Sequence, residues 1–251
     1  GAVNAADEVR SLAERTGAAV LTTVAAKGVL PPQHPLLLGS SPSLAAVRRF
    51  LSASDLVFAI GTEFGETDYD MLFLGPLGDL PWLARLDIDP PQLCRNRRPD
   101  LPLCGDAAGT LRQLLDALPS PADVARRARS ASRVAEGRAA IEAEAHFHGE
   151  MAAFFDTVAD ALPGLCLVGD STLPTYYAVW QYAAPAPRRY FHSATGAGTL
   201  GYAIPAAIGA RRALPAEVPV AALIGDGAAQ FTLMELAAAV QERLPIVVLL
   251  W

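Results

Sequence analysis

Asp226 stands between two glycines in Gly225-Asp226-Gly227-Ala228, directly after the apolar run Val218–Ile224. A carboxylate held at such a turn offers hard oxygen ligands to a divalent cation such as Mg²⁺. The flanking glycines let an anionic group approach the backbone, and amides exposed near a helix start favour negative charge. By itself Gly-Asp-Gly is also the composition of an ordinary turn. Two further turns of similar chemistry precede it. Gly169-Asp170-Ser171 follows Leu165–Val168, and the glycine-rich Thr195-Gly196-Ala197-Gly198-Thr199-Leu200-Gly201 follows Tyr190–Ser193. In an open parallel sheet, ligands bind beyond the carboxyl ends of the strands. The three exits would then share one edge and bring amides, hydroxyls and carboxylates together, which is the chemistry of a metal and diphosphate site.

Holding three exits on one edge requires strands alternating with helices, and the sequence has that pattern twice. Downstream, helices are expected over 150–162, 173–181, 201–214 and 232–240, and strands over 165–168, 190–193, 218–224 and 245–251. Upstream, helical spacing at 4–16, about 43–53 and 107–118 alternates with strands at 18–23, 55–61, 84–89 and 101–104. The expected class is α/β, with two doubly wound, Rossmann-like parallel-sheet domains at 1–118 and 150–251. Residues 119–149, with Arg126, Arg127, Arg129, Arg133 and Arg138 among alanines and serines, read as a solvated helical linker. Both domains read as incomplete. Gly1-Ala2-Val3-Asn4 resembles the loop after a strand, and Pro245–Trp251 stops at the tip of one.

The chain's 251 residues carry 20 basic and 26 acidic side chains, a net charge of -6, so nothing electrostatic favours nucleic acid or an anionic membrane as partner. No apolar run reaches membrane-spanning length, and the first residues lack a signal core. Cys94, Cys104 and Cys166 show neither Cys-x-x-Cys spacing nor a metal pattern with the four histidines, which fits a reducing, cytoplasmic setting. Of the histidines, His192 falls beside the glycine-rich turn, whereas His34, His146 and His148 read as surface or loop residues. Several candidates have a purely structural alternative. Asp170 can cap the helix from Leu173 with Ser171 or Thr172, Leu200 can belong to a core, and Glu235 and the sole lysine, Lys27, can be structural.

The pair Gly198-Thr-Leu-Gly-Tyr-Ala-Ile-Pro-Ala-Ala-Ile-Gly209 and Gly225-Asp-Gly-Ala-Ala-Gln-Phe-Thr-Leu-Met-Glu-Leu236 resembles the cofactor-binding domain of thiamine diphosphate (ThDP) enzymes, in the acetolactate synthase and benzoylformate decarboxylase group. Thr22–Pro31, His34-Pro35, Ser54–Gly61 and Leu86–Pro90 resemble the middle domain of that family, so the likeness covers nearly the whole chain. The resemblance implies that Asp226 holds Mg²⁺, with an asparagine just beyond Trp251 as a second ligand. It also implies that Gly225, Gly227 and Ala228 lie against the diphosphate and that Gly169, Asp170 and Ser171 line the same end. Thr199 would lie in the cofactor-binding turn. The Gly198 carbonyl would accept the cofactor's amino group, and Leu200 would sit beneath the cofactor and bend it, bringing the aminopyrimidine to the thiazolium carbon that attacks a 2-oxo acid.

By the same resemblance, the activating glutamate comes from an N-terminal domain of the partner subunit. The intact protein would be a homodimer or homotetramer, and these 251 residues alone would carry no catalytic residue and be inactive. Gly39-Ser40-Ser41-Pro42 replaces the Gly-x-His-Gly type run of FAD-binding relatives, which puts FAD in doubt. The segment 41–70, with Glu63 and Thr67-Asp68-Tyr69-Asp70, looks like decarboxylases of basic 2-oxo acids such as 5-guanidino-2-oxopentanoate. The alternatives are an acetolactate-synthase-like carboligase and, from another class, a non-catalytic nucleotide-binding or regulatory module.

Overall fold

Parallel strands alternate with helices in both halves of the chain, as the sequence pattern requires. The computed structural model describes residues 1–40, 42–65, 68, 75, 77–119, 124–144, 150–195 and 197–251. The chain divides into two units, Gly1–Glu144 and Ala145–Trp251. Ser41, Thr67, Tyr69, Asp70, His146, His148 and Gly196, all weighed from the sequence, lie outside the described residues.

In the first unit, α1 (Ala6–Thr16) buries Val9 and Ala13 and ends at Gly17, whose φ of 73° lets its amide reach the Ala13 carbonyl at 2.7 Å. Strand β1 (Val20–Thr22) pairs in parallel with β2 (Leu37–Ser40). The sequence pattern missed β2, because Leu36-Leu37-Leu38 is too short an apolar run to stand out beside Pro31, Pro32 and Pro35. After α2 (Ala45–Ser52) come β3 (Leu56–Ile60), β4 (Trp82–Asp87), α3 (Pro90–Cys94), β5 (Leu101–Cys104) and α4 (Ala107–Ala117). The second sheet has the order β3-β4-β5, again parallel. Asp106 caps α4 by accepting the Gly109 amide at 2.8 Å.

Helix α5 (Val124–Glu144) does more than connect. Val134 and Ile141 are buried, and Gly137 leaves room for Leu38 and Phe50. The Glu144 carboxylate accepts both the Ala45 and Ala46 amides at 2.6 Å at the start of α2, while Arg133 donates to the Ala53 carbonyl at 2.8 Å at its end. An acid at the amino end and a base at the carboxyl end both complement the α2 dipole. Arg138 donates to the Leu37 and His34 carbonyls. The charges expected to be solvated on a linker thus fasten α5 to the first unit.

The second unit contains α6 (Glu150–Ala161), β6 (Cys166–Gly169), α7 (Leu173–Trp180), β7 (Tyr190–His192), α8 (Ala203–Ala213), β8 (Val220–Ile224), α9 (Asp226–Thr232), α10 (Leu236–Gln241) and β9 (Val247–Leu250). Its parallel sheet has the order β7-β6-β8-β9. Every residue of the two inner strands, β6 and β8, is buried, which is why both read as unbroken apolar runs. On one face Val168, Ala222 and Ile224 pack against Ile204 and Ala207 of α8 and Ala228 and Ala229 of α9. The helix expected over 232–240 begins earlier, at Asp226, and is interrupted by a 3-10 turn at Leu233–Glu235. Gly225 is already the residue ahead of that helix, so Gly227 lies inside its first turn and not in a loop.

Candidate functional site

The three turns leave the sheet side by side. Gly169 is in register with His192 of β7 and with Leu223 of β8, so Asp170, Ser193 and the Gly225-Asp226 pair follow neighbouring carboxyl ends. Beyond them β9 brings Leu250 opposite Ile224, and the Trp251 carbonyl accepts the Asp226 amide at 3.3 Å.

Asp170 is completely buried, and its carboxylate is spent on backbone amides. Oδ1 accepts from Ser171 at 2.9 Å and from Gly201 at 3.2 Å, and Oδ2 accepts from Ala203 at 2.8 Å. The helix it serves is therefore α8 rather than the neighbouring α7, whose N-cap residue Thr172 makes no side-chain cap bond. Ser171 points elsewhere: its Oγ lies 2.9 Å from the Tyr176 hydroxyl.

Close approach sets the spacing between the turns. A Cβ on Gly225 would come 3.3 Å from the Thr172 hydroxyl, and one on Gly201 would come 2.9 Å from Thr232 Cγ2 and 3.1 Å from Phe231 Cβ. Gly198 and Gly201 have φ of 67° and 86°, a region that favours glycine, and the Gly198 amide donates to the Ser193 carbonyl at 3.1 Å. Between these glycines Thr199 and Leu200 are exposed, Leu200 at 48%. That position rules out the core role weighed for Leu200.

Asp226 differs from Asp170 in exposure and in what its carboxylate holds. It is exposed, its Oδ1 accepts only the adjacent Gly227 amide among the described residues, at 2.7 Å, and it opens α9. Gly227 is exposed with open space where a Cβ would be, and Ala228 is buried beneath it. Among the described residues no group of three or more His, Cys, Asp or Glu side chains forms a metal cluster. A cation at Asp226 would need oxygen ligands from elsewhere, such as a diphosphate.

His192 is buried, with the Tyr176 ring edge-on at 6.0 Å and Tyr190 at 6.2 Å. The sequence reading passed over Tyr176, Ser193 and Thr232. The Ser193 Oγ and Thr232 Oγ1 are buried without a hydrogen-bond partner among the described residues, at the turn of Gly198–Gly201. Their only sequence signal is adjacency to the glycine-rich and Gly-Asp-Gly motifs.

In the first unit two acidic side chains of segment 41–70 have partners within that unit. Glu63 pairs with Arg95 at 3.2 Å, and Asp68 accepts the Val24 amide at 2.8 Å. Burial raises the Asp68 carboxyl above its usual range and lowers buried Lys27 to about 7, the latter against the attraction of Asp68.

The sequence pattern of the thiamine pyrophosphate enzyme central domain matches residues 1–114, and that of the C-terminal TPP binding domain of such enzymes matches 168–251. The chain belongs to the thiamine pyrophosphate enzyme family. Over 254 residues, and 100% of this chain, it is 41% identical to a probable 2-ketoarginine decarboxylase of Pseudomonas aeruginosa, of which it spans 44%. It is 31% identical over 98% of its length to an acetolactate synthase of Mycobacterium avium, spanning 40% of that protein, and 27% identical over 99% to the acetolactate synthase isozyme 3 large subunit of Escherichia coli, spanning 44%. The chain thus spans less than half the length of these curated relatives. The site described above lies within the TPP-binding match, and α1 through α4 largely fill the central-domain match. No helix among the described residues is long and apolar enough to cross a membrane.

Proposed function

We propose that the whole protein containing this chain is a ThDP- and Mg²⁺-dependent decarboxylase of a basic 2-oxo acid. The observation that carries the cofactor reading is the contrast between the two aspartates of one sheet edge: Asp170 is consumed by backbone amides, and Asp226 presents its carboxylate to solvent. An exposed carboxylate at the start of α9 suits Mg²⁺, a hard cation that takes few protein oxygens and completes its shell with phosphate and water. When bound, ThDP supplies a nucleophilic carbon and the electron sink for CO₂ loss.

The chain's own residues would do the holding. Asp226 binds the cation, the Gly225–Ala228 backbone lies against the diphosphate, and Gly169 and Ser171 border it from β6. Asp170 fixes the Gly198–Gly201 turn from beneath. That turn would offer the Gly198 carbonyl to the cofactor's amino group, and Leu200, an apolar side chain held out at the surface, would support its rings. The Asp226 amide is bonded to the Trp251 carbonyl, so a ligand supplied just beyond Trp251 in the whole protein would lie near Asp226. The activating glutamate would come from the partner subunit of a homodimer or homotetramer, in a cytoplasmic setting that suits three free thiols. FAD has no part in this reading.

The name of the 41% identical relative favours a guanidino 2-oxo acid as substrate. The acetolactate synthase relatives support a second reading, carboligation of pyruvate. Product analysis on the whole protein separates them. Release of CO₂ from 5-guanidino-2-oxopentanoate with no acetolactate from pyruvate is expected, and acetolactate as the main product would replace the first reading with the second.

A further inference from the structure

The backbone at the end of β6 has little left to give an anion. The Asp170 amide donates to the Leu223 carbonyl at 2.8 Å, the Ser171 amide to Asp170 Oδ1 at 2.9 Å, and the Thr172 amide to the Asp170 carbonyl at 2.9 Å. Gly169 is buried, and a Cβ there would come 2.3 Å from Thr175 Cγ2, so the first turn of α7 covers it. With these amides spent, the groups this exit can offer an anion are the hydroxyls of Ser171 and Thr172. Thr172 makes no cap bond to α7, and its hydroxyl lies 3.3 Å from where a Cβ on Gly225 would be, which sets this exit against the Gly225-Asp226-Gly227 turn.

Among the described residues the Ser171 Oγ has one partner, the Tyr176 hydroxyl at 2.9 Å, within the ordinary O–H···O range. Each hydroxyl carries a single proton, so only one of the two lies on this bond. A phenol O–H is the stronger donor and an aliphatic hydroxyl oxygen the stronger acceptor, so the bond runs from Tyr176 to Ser171. The Ser171 proton is then free for a further acceptor. Tyr176 is well placed to hold this geometry. Its amide donates to the Thr172 carbonyl at 3.3 Å, and its ring stands edge-on to buried His192 at 6.0 Å, although the residue remains 42% exposed.

We infer that Tyr176 is a positioning residue for cofactor binding: its hydroxyl donates to Ser171 Oγ and so turns the Ser171 O–H toward the ThDP diphosphate. A hydroxyl that accepts while it donates is polarised into a better donor, and an anionic acceptor strengthens the bond further. Tyr176 acts through Ser171 and does not itself touch the cofactor. The inference rests on the cofactor reading above.

Calorimetric titration with ThDP in the presence of Mg²⁺ tests it, on the whole protein and its Tyr176→Phe, Ser171→Ala and doubly substituted variants. Tyr176→Phe removes one hydroxyl and keeps the ring against His192, so melting without cofactor should be unchanged. Ser171→Ala should weaken ThDP binding about 10- to 100-fold and Tyr176→Phe about 3- to 10-fold. In the Ser171→Ala background, Tyr176→Phe should add nothing. With Tyr176→Phe the ThDP concentration for half-maximal turnover should rise, and the rate at saturating ThDP should not fall. A Tyr176→Phe loss that persists without Ser171 would overturn the inference. So would an affinity that Tyr176→Phe leaves equal or raises, which would mean that Ser171 donates to Tyr176. Absence of ThDP binding by the unsubstituted protein would overturn the cofactor reading and this inference together, whereas binding without the coupling would overturn this inference alone.

Discussion

Asp170 and Ala203, 33 residues apart, are joined by a 2.8 Å hydrogen bond from the Ala203 amide to the buried carboxylate. Through this bond and its companion from Gly201, the end of β6 fixes the glycine-rich turn that follows β7. Asp170→Ala leaves three amides, those of Gly201 and Ala203 buried, without their acceptor and should destabilise the second unit by about 2–4 kcal/mol. Asp170→Asn keeps one acceptor oxygen and should cost less. Urea denaturation of both variants checks the order.

Two glycines of the site should respond in opposite ways. Gly201→Ala forces a Cβ toward Thr232 and Phe231 at a φ of 86°, and should cost about 1–3 kcal/mol. Gly227 lies in the first turn of α9 with open space around it, so Gly227→Ala should leave stability unchanged or raise it by about 0.5–1 kcal/mol. If the diphosphate approaches this backbone, the same substitution should weaken ThDP binding in the whole protein. Thermal melts paired with cofactor titration separate the two effects.

The thiols divide by burial. Cys94 and Cys104 are exposed, whereas burial pushes Cys166 up to about 11. A thiol reagent at pH 8 should modify two cysteines in the folded chain and a third only after denaturant is added.

Lys27 should give the first unit a pH-dependent stability. Its ordinary value of 10.5 falls to about 7 in the fold, so between those values the unfolded chain holds a proton that the folded chain has lost. Stability therefore rises with pH through this window, and the cost of charging a buried lysine is fully present below it. Between pH 7 and 8.5 the gain should be about 1–2 kcal/mol. Lys27→Met should remove this slope, as denaturation at the two pH values would report.

The strand ends at Gly169 and Ile224 were legible in the sequence because buried parallel strands are apolar runs that stop at glycine and aspartate. The partner of Asp170 was not. A local reading assigns a carboxylate to the nearest helix, and here α8, beginning 33 residues on, takes it. Glu144 and Arg133 looked solvated for the same reason: their targets at the ends of α2 are 99 and 80 residues away in sequence, respectively. Gly227 read as loop because its type suits a turn, while the fold places it in a helix. The exposure that distinguishes Asp226 from Asp170 comes wholly from tertiary structure, since both stand beside glycine at a strand exit.

The central claim is that Asp226 anchors Mg²⁺ and the diphosphate of ThDP. Calorimetric titration of the whole protein with ThDP and Mg²⁺, beside the Asp226→Ala variant, tests it most directly. Among the described residues Asp226 makes no side-chain bond beyond its neighbour's amide, so the variant should fold normally. The account predicts Mg²⁺-dependent binding that the substitution weakens on the order of 100-fold. Absence of binding, or equal affinity in a folded Asp226→Ala protein, would contradict it.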